Sequence, residues 1–175
     1  MVKVLDADGS EVPRGQLGDI HVWNPGAGDY TYHGRDRDRA AIETDGLVTL
    51  GDVGYLDDDD FLYLCGRSKD MIISGGVNIY PAEIEAALIQ HPDVADCAVF
   101  GIPDDEFGES VAAAVQLREA GADDADGIRA FLRKRLASFM VPRTIEFNDN
   151  LPREDSGKIF KQKLRARRWP EGRQI

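Results

Sequence analysis

Residues 66–85 read GRSKDMIISGGVNIYPAEIE, and they mark a change from one kind of structure to another. Before them, short apolar runs alternate with Gly, Pro and Asp turns, a pattern typical of β-structure. After them, Pro81 stands at a favoured first helical position, and apolar residues then recur at helical spacing. The stretch therefore predicts a boundary between a small β unit over residues 1–66 and a mixed unit over residues 67–175.

Turn residues divide the first unit into short strands. VKVLDADG (2–9) predicts a strand that runs into a tight turn, and GDIHVW (18–23) predicts a second strand. The segment GLVTLGDVGYLDDDDFLYLCG (46–66) predicts further strands that are joined by its acidic turn. A weak helical pattern covers Arg37 to Glu43. Short strands between turns indicate a small all-β unit.

Strands and helices alternate in the second unit. Helical spacing follows Pro81, and Ile128, Phe131, Leu132 and Leu136 form a second amphipathic stripe. The predicted strands are VADCAVFGIP (94–103), SVAAAVQL (110–117) and TIEF (144–147), and KIFKQKLRARR (158–168) predicts a final helix. This order predicts a compact α+β domain.

Composition favours a soluble, cytoplasmic protein. The 175 residues contain 21 Lys and Arg against 32 Asp and Glu, which gives a net charge of −11 and disfavours nucleic-acid binding. No apolar run approaches the roughly 20 residues that span a bilayer, and no secretory signal is recognisable. Cys65 and Cys97 form no disulfide framework, and His21, His33 and His91 have no metal-ligand spacing. The basic C-terminal segment is interpreted as a solvated helix face, with an anion site as the alternative.

Several polar residues carry candidate chemistry, and each also has an ordinary structural interpretation. Asp52 lies in TLGDVGY, where its carboxylate is suited to accept hydrogen bonds from a ribose diol or from turn amides. Arg67 offers a planar fork for phosphate or ribose, or a surface ion pair. Lys69 follows two residues later and also fits a solvated linker.

The glycine pair and a late lysine are similarly open to two interpretations. Gly75 and Gly76 interrupt a strand pattern, which indicates a bulge or a backbone edge along which a thin ligand lies. Lys158 lies on a Ser-Gly turn, where an ammonium either stabilises developing charge on an oxygen or stays an ordinary surface group. A Walker A loop is excluded because Pro152 stands where that loop requires its first glycine.

Taken in order, these motifs resemble one family. GDVGYLDDDDFLYLCGRSKDMIISGGVNIYPAEIE (51–85), LASFMVP (136–142) and LPREDSGKIFK (151–161) resemble the adenylate-forming superfamily of acyl-CoA synthetases, aryl-CoA ligases and peptide-synthetase adenylation domains. The sequence of residues 69–85 is most similar to that of the fatty-acyl and medium-chain acyl-CoA ligases. The resemblance implies two half-reactions: a carboxylate attacks the ATP α-phosphate to give acyl-adenylate and pyrophosphate, and the CoA thiol then displaces AMP.

The resemblance also implies roles for the nucleotide-site residues. Asp52 resembles the carboxylate that binds the ribose diol, and Arg67 the arginine that contacts the same ribose and phosphate region. Asn78 falls near the AMP phosphate. Lys158 resembles the adenylation lysine, which orients the carboxylate and the α-phosphate.

The other implied roles concern domain rotation and CoA. Lys69 falls at the hinge, where rotation of the C-terminal domain exchanges the two half-reaction conformations. Gly75 and Gly76 resemble the backbone that lines the pantetheine tunnel. ATP or AMP, CoA and a carboxylic acid are the implied ligands, and the Mg²⁺ site is expected in the N-terminal adenylation domain.

The chain departs from the family pattern in three respects. Leu50 replaces the threonine of the usual Thr-Gly-Asp, and Asp60 replaces a turn glycine, for which aspartate is a tolerated substitute in the left-handed conformation. The Ser/Thr/Gly-rich phosphate loop, the Thr-Glu magnesium motif and the acyl pocket are not found in this chain. We therefore interpret the chain as the C-terminal part of an acyl-CoA synthetase. The resemblance implies an α+β fold in which a β-barrel subdomain (residues 1–66) is followed by a mobile two-layer α/β lid domain (residues 67–175), and we predict that the chain is inactive by itself. The alternative is a free-standing binding or regulatory module derived from such a domain.

Overall fold

The computed structural model describes residues 1–23 and 42–169, which belong to two compact units, Met1–Lys69 and Asp70–Ile175. The predicted α+β fold class is confirmed, since two mainly antiparallel sheets combine with three helices in the described residues. Most of the segment with the weak helical pattern, residues 37–41, lies outside the described residues. Ile42 lies in a turn, and Glu43 begins a short strand.

The first unit is a five-stranded antiparallel sheet. Its strands are β1 (Val2–Leu5), β2 (Gly18–Val22), β3 (Glu43–Thr44), β4 (Leu47–Leu56) and β5 (Leu62–Arg67). They are ordered β1-β2-β4-β3, and β5 pairs with β4. Alternating side chains bury Val4, Val12, Ile20 and Leu56 as a small apolar core.

The acidic turn between β4 and β5 is held by its own first residue. Asp57 Oδ1 accepts the amides of Asp59 and Phe61 at 3.0 and 2.9 Å. Asp60 has a φ of 65°, so the aspartate takes the left-handed conformation expected at this position. The substitution of glycine by Asp60 is therefore accommodated by the turn.

The second unit is built on a mixed sheet. Its elements are β6 (Ile72–Ser74), β7 (Val77–Ile79), α1 (Pro81–Ile89), β8 (Val94–Asp104), β9 (Gly108–Leu117), α2 (Ala125–Arg133), β10 (Thr144–Phe147) and α3 (Lys161–Ala166). The path β10-β9-β6-β7 is completed by β8, which pairs with β9 along almost its whole length. Strand β10 runs parallel to β9.

Helices cover both faces of this sheet. Ile84 and Leu88 of α1 and Ile128 and Leu132 of α2 are fully buried against one face. The predicted β9 stripe of Val111, Ala113, Val115 and Leu117 packs against the same core. The other face buries Phe100, Ala112 and Ala114 together with Leu151 and Leu164. The segment of residues 151–164 is therefore anchored at both ends in the apolar core on this face of the sheet.

Local signals set the helix ends. Pro81 begins α1, as predicted. Asp124 caps α2 because its side chain accepts the amides of Asp126 and Gly127. Helix α3 is shorter than the predicted 158–168, because Ile159 pairs with Arg153 in a β-bridge and the Phe160 amide binds the Pro152 carbonyl. Among residues 1–23 and 42–169, no helix has the length and apolar character to cross a bilayer.

Candidate functional site

Asp52 and Arg67 lie opposite each other on β4 and β5. The Oδ1 atom of Asp52 is 3.2 Å from Nε of Arg67, and both side chains are about half exposed. Nη2 of Arg67 also donates a 2.6 Å hydrogen bond to the carbonyl oxygen of Leu50. The structure thus combines two of the three predicted nucleotide-binding residues in one pair, with a carboxylate acceptor and guanidinium donors side by side at the surface.

Lys69 lies in a 3₁₀ turn, Ser68–Asp70, and its side chain is exposed. The next residue, Asp70, belongs to the second unit and forms an ion pair with Arg165 of α3. The predicted hinge residue is therefore followed at once by a residue that is bound to the C-terminal helix.

Gly75 and Gly76 form the turn between β6 and β7. Their φ angles are 57° and 80°, and Ser74 and Val77 pair on either side, which is the pattern of a type I′ hairpin. The Gly75 amide donates to the Phe107 carbonyl at 2.9 Å, and a Cβ on Gly75 would lie 3.0 Å from the Phe107 ring. Within residues 1–23 and 42–169, no atom lies within 4 Å of a Cβ placed on Gly76, so this glycine borders open space among the described residues.

Asn78 follows this turn on β7, where it pairs with Ile73 and its side chain is exposed. Gly75, Gly76 and Asn78 therefore lie on one hairpin of the second unit. Asp52, Arg67 and Lys69 belong to the first unit.

Lys158 lies on an exposed turn whose backbone is well fixed. The amide of Glu154 donates to the Lys158 carbonyl, and the amide of Gly157 donates to the Glu154 carbonyl, both at 2.8 Å. Gly157 has a φ of 84°, a conformation that favours glycine. Leu151 and Ile159 anchor the two ends of the segment in the second apolar core. The arrangement presents the Lys158 side chain to solvent.

The family model of the AMP-binding enzyme C-terminal domain matches residues 83–158, from the first turn of α1 to the turn of Lys158. Residues 83–158 belong to the AMP-binding enzyme C-terminal domain family. Residues 83–158 are therefore referred to below as the AMP-binding C-terminal domain.

Relatives cover almost all of this chain, while the chain spans about a third of each of them. The feruloyl-CoA synthase of an Amycolatopsis species is 43% identical over 166 residues, which are 95% of this chain and 34% of that protein. The fatty acid–[acyl-carrier-protein] ligase ScoC of Streptomyces coeruleorubidus is 40% identical over 167 residues, which are 95% of this chain and 32% of that protein. One similar solved structure is that of the o-succinylbenzoate CoA synthetase (MenE) of Bacillus subtilis in complex with the acyl-adenylate OSB-AMP. The two structures superpose with a TM-score of 0.87 at 35% identity, over 94% of this chain and 33% of the MenE chain.

Basic residues at and after the end of the AMP-binding C-terminal domain have acidic partners. Lys161 is 2.7 Å from Glu85 of α1, Arg165 pairs with Asp70, and Arg168 pairs with Glu146 of β10. The indole Nε1 of Trp169 donates to the Gly101 carbonyl at 3.1 Å. The basic C-terminal segment was expected to form a solvated helix face. The side chains of Lys161 and Arg165 are only 22% and 15% exposed in these pairs, whereas Lys163, Arg167 and Arg168 are exposed, as that interpretation expects.

A histidine site was not found by sequence reasoning. His91 Nδ1 accepts the Asp93 amide at 3.2 Å, and Nε2 lies 3.1 Å from Asp123 Oδ2. Together with the Asp93 carboxylate, these groups have metal-ligating atoms within 4.8 Å of one another. Both ring nitrogens already have protein partners, so the buried ring joins the end of α1 to the residue before the α2 cap.

The AMP-binding C-terminal domain also buries a thiol. Burial, together with the nearby carboxylates of Glu85 and Asp96, raises the pKa of Cys97 to about 12. The Sγ atom of Cys97 donates to the Glu85 carbonyl oxygen at 3.7 Å. This thiol therefore remains protonated at neutral pH and serves packing rather than nucleophilic chemistry.

Proposed function

We propose that this chain supplies the C-terminal part of an acyl-CoA synthetase. Such an enzyme activates a carboxylic acid with ATP to form an acyl-adenylate and pyrophosphate, and then transfers the acyl group to the thiol of CoA with release of AMP. The observation that carries the proposal is the exposed Lys158 on its fixed turn, in a chain whose relatives are named as acyl ligases.

Lys158 acts in the first half-reaction. Its ammonium orients the substrate carboxylate and the α-phosphate, and it stabilises the negative charge that develops on the phosphate oxygens as pyrophosphate leaves. An exposed side chain on a fixed backbone turn suits this task, because the charge is free to approach a substrate while its base remains in place.

Asp52, Arg67 and Asn78 bind the nucleotide. The carboxylate of Asp52 accepts hydrogen bonds from the ribose hydroxyls, and Arg67 contacts the same ribose and the phosphate region. The observed Asp52–Arg67 pair supports these roles because each group holds the other in place before the nucleotide binds. Asn78 donates its side-chain amide near the AMP phosphate.

Gly75, Gly76 and Lys69 serve the second half-reaction. The hairpin turn offers a backbone edge without side chains, and a pantetheine arm lies along it; the open space beside Gly76 supports this role. Lys69 is the hinge about which residues 67–175 rotate relative to the β-barrel subdomain, residues 1–66. The rotation withdraws Lys158 and brings the glycine turn to the thiol.

The acid is proposed to be a fatty acid, and its chain length is set by residues outside this chain. Relatives carry names as different as feruloyl-CoA synthase and sulfoacetate–CoA ligase, so the C-terminal domain is compatible with several acids. Magnesium is proposed to bind in an N-terminal adenylation domain; MenE has been solved with ATP and a magnesium ion. The 175-residue chain by itself is expected to catalyse no ATP–pyrophosphate exchange.

A chimera tests the proposal. This chain replaces the matching C-terminal third of Bacillus subtilis MenE, and two rates are measured: ATP–pyrophosphate exchange with o-succinylbenzoate, and CoA thioester formation from supplied OSB-AMP. Lys158→Ala should lower exchange by about 10²–10³-fold and largely spare thioester formation. Lys163→Ala, which removes another exposed lysine, is the matched control. An inactive chimera, or an equal loss of both rates in Lys158→Ala, would contradict the proposal and favour a binding module.

A further inference from the structure

The turn that carries Lys158 is joined to the sheet by an arginine. Arg153 begins the turn, and its Nη1 atom donates a 2.8 Å hydrogen bond to the carbonyl oxygen of Gly157, the residue before Lys158. Its Nη2 atom forms an ion pair with Oδ2 of Asp96 on β8. One planar guanidinium therefore connects a strand of the sheet to the backbone beside the proposed catalytic ammonium.

Asp96 is a firm anchor for this contact. It pairs with Gln116 in the β8–β9 ladder, and its Oδ1 accepts the Cys97 amide at 2.8 Å. The neighbouring residues Ala98 and Val99 are fully buried. A carboxylate on such a packed strand has little freedom to move, so a group bound to it is held in a defined position.

The other hydrogen bonds of the turn do not connect its tip to the sheet. The bonds between residues 154, 157 and 158 close the turn on itself. The bridge between Arg153 and Ile159, and the bond from the Phe160 amide to the Pro152 carbonyl, hold its base. The Arg153 side chain reaches the far end of the turn, at Gly157, from the anchored strand.

We propose that Arg153, held by Asp96, is a positioning residue that sets the direction of the Lys158 ammonium for adenylation. This inference rests on the proposed role of Lys158 and adds the pair of residues that orients it. Because a misplacement of about 1 Å lowers a rate about a hundredfold, loss of the bridge slows the step that uses the ammonium. Thioester formation, which does not use the ammonium, is unaffected.

Amide hydrogen exchange of the 175-residue chain tests the structural half of the proposal. Arg153→Gln should speed exchange of the Glu154 and Gly157 amides by about tenfold, since a charge-assisted contact is lost. Exchange of the Val115 amide on β9 should not change. Arg118→Gln is the matched control, because Nε of Arg118 also donates to a backbone carbonyl, that of Pro92, at 2.9 Å. Unchanged exchange of Glu154 and Gly157 would overturn the proposal.

The two rates of the MenE chimera test the functional half. Arg153→Gln should lower the kcat of ATP–pyrophosphate exchange by about ten- to hundredfold and leave thioester formation from OSB-AMP unchanged. Arg153→Lys should be intermediate, because one ammonium cannot reproduce the two-sided fork. Asp96→Asn should act in the same direction, and the double variant should be no slower than Arg153→Gln. A normal rate of ATP–pyrophosphate exchange in Arg153→Gln, or an equal loss of this rate and of the thioester rate, would overturn the proposal.

The two proposals fail in different ways. If Lys158→Ala leaves ATP–pyrophosphate exchange intact, the proposed function fails, and with it the functional half of this inference. If Lys158→Ala slows exchange but Arg153→Gln does not, the proposed function stands and the positioning role of Arg153 is refuted.

Discussion

Arg165 of α3 forms an ion pair with Asp70, 95 residues earlier in the chain. Their side chains are 15% and 22% exposed, so the pair is largely withdrawn from water. The C-terminal helix is thereby bound to the first residue of the second unit, directly after Lys69. The pair links the start of this unit to its last helix.

Breaking this pair should destabilise the protein more than breaking an exposed one. Asp70→Asn leaves the Arg165 charge without its carboxylate, and we expect the free energy of unfolding to fall by about 2 kcal/mol, less than the 3–5 kcal/mol typical of fully buried pairs. Glu146→Gln, which breaks the more exposed pair with Arg168, should cost at most about 1 kcal/mol. Urea unfolding of the 175-residue chain measures both, and equal costs would contradict this ranking.

The Asp52–Arg67 pair should matter more for nucleotide binding than for stability. Because both side chains are about half exposed, Asp52→Ala should change the free energy of unfolding by less than about 1 kcal/mol. Loss of a charged hydrogen-bond partner of ribose should raise the KM for ATP in the MenE chimera by about tenfold or more. Arg14→Ala, which removes another surface ion pair of the same unit, is the control and should leave KM unchanged.

Gly76 offers a separate test of the CoA-binding edge. Gly76→Ala places a side chain at a φ of 80°, so a loss of about 1 kcal/mol in stability is expected from strain alone. Gly76→Asn tolerates this φ and isolates the effect of bulk. If pantetheine lies along the turn, Gly76→Asn should slow thioester formation from OSB-AMP several-fold while ATP–pyrophosphate exchange is retained. A normal thioester rate would count against the role.

Ionisation of Cys97 should lower the stability of the folded protein at alkaline pH. The pKa of its thiol rises from an ordinary value of 9.0 to about 12 in the folded state, mainly because the thiol is buried. Between these values the unfolded chain releases the proton and the folded chain keeps it. The contribution of the Cys97 thiol to the free energy of unfolding should therefore be constant below about pH 9. Above about pH 9 this contribution should fall by up to about 1.4 kcal/mol per pH unit.

Paired variants check this assignment. Cys97→Ala should remove its share of the slope of unfolding free energy against pH between 9 and 12, whereas Cys65→Ala should retain it. Ellman's reagent should label Cys65 in the folded chain faster than Cys97, since Cys97 is buried and Cys65 is half-buried. Equal slopes in the two variants would mean that other groups account for the alkaline loss.

Much of the fold followed from local signals. Pro81 begins α1 as predicted, and the alternating apolar residues of β9 face the same core, because helical and strand periodicity place side chains on one face whatever the partner is. Asp60 adopts the left-handed conformation expected of it. The assignments of residues 1–66 and 67–175 as domains, and the roles of the site residues, stay predictions.

Other features were misjudged or missed for a common reason. The interpretation of Gly75 and Gly76 as a bulge was wrong, because they form the hairpin turn between β6 and β7, whose pairing was not recognised. Their role as a ligand edge stays a prediction. Lys161 and Arg165 were grouped with a solvated helix face, whereas the fold places Glu85 and Asp70 beside them and largely withdraws them from solvent. The His91–Asp123 contact joins residues from separate helix ends.

The sequence alone determined the start of α1, the apolar faces of α1, α2 and β9, and the family that the chain resembles, since these depend on residues close together in the chain. Only the tertiary structure paired Asp52 with Arg67 and joined Arg153 to both Asp96 and Gly157. Such contacts depend on strand register and on the packing of distant segments, and a charged side chain carries no local mark of which distant partner the fold will place beside it.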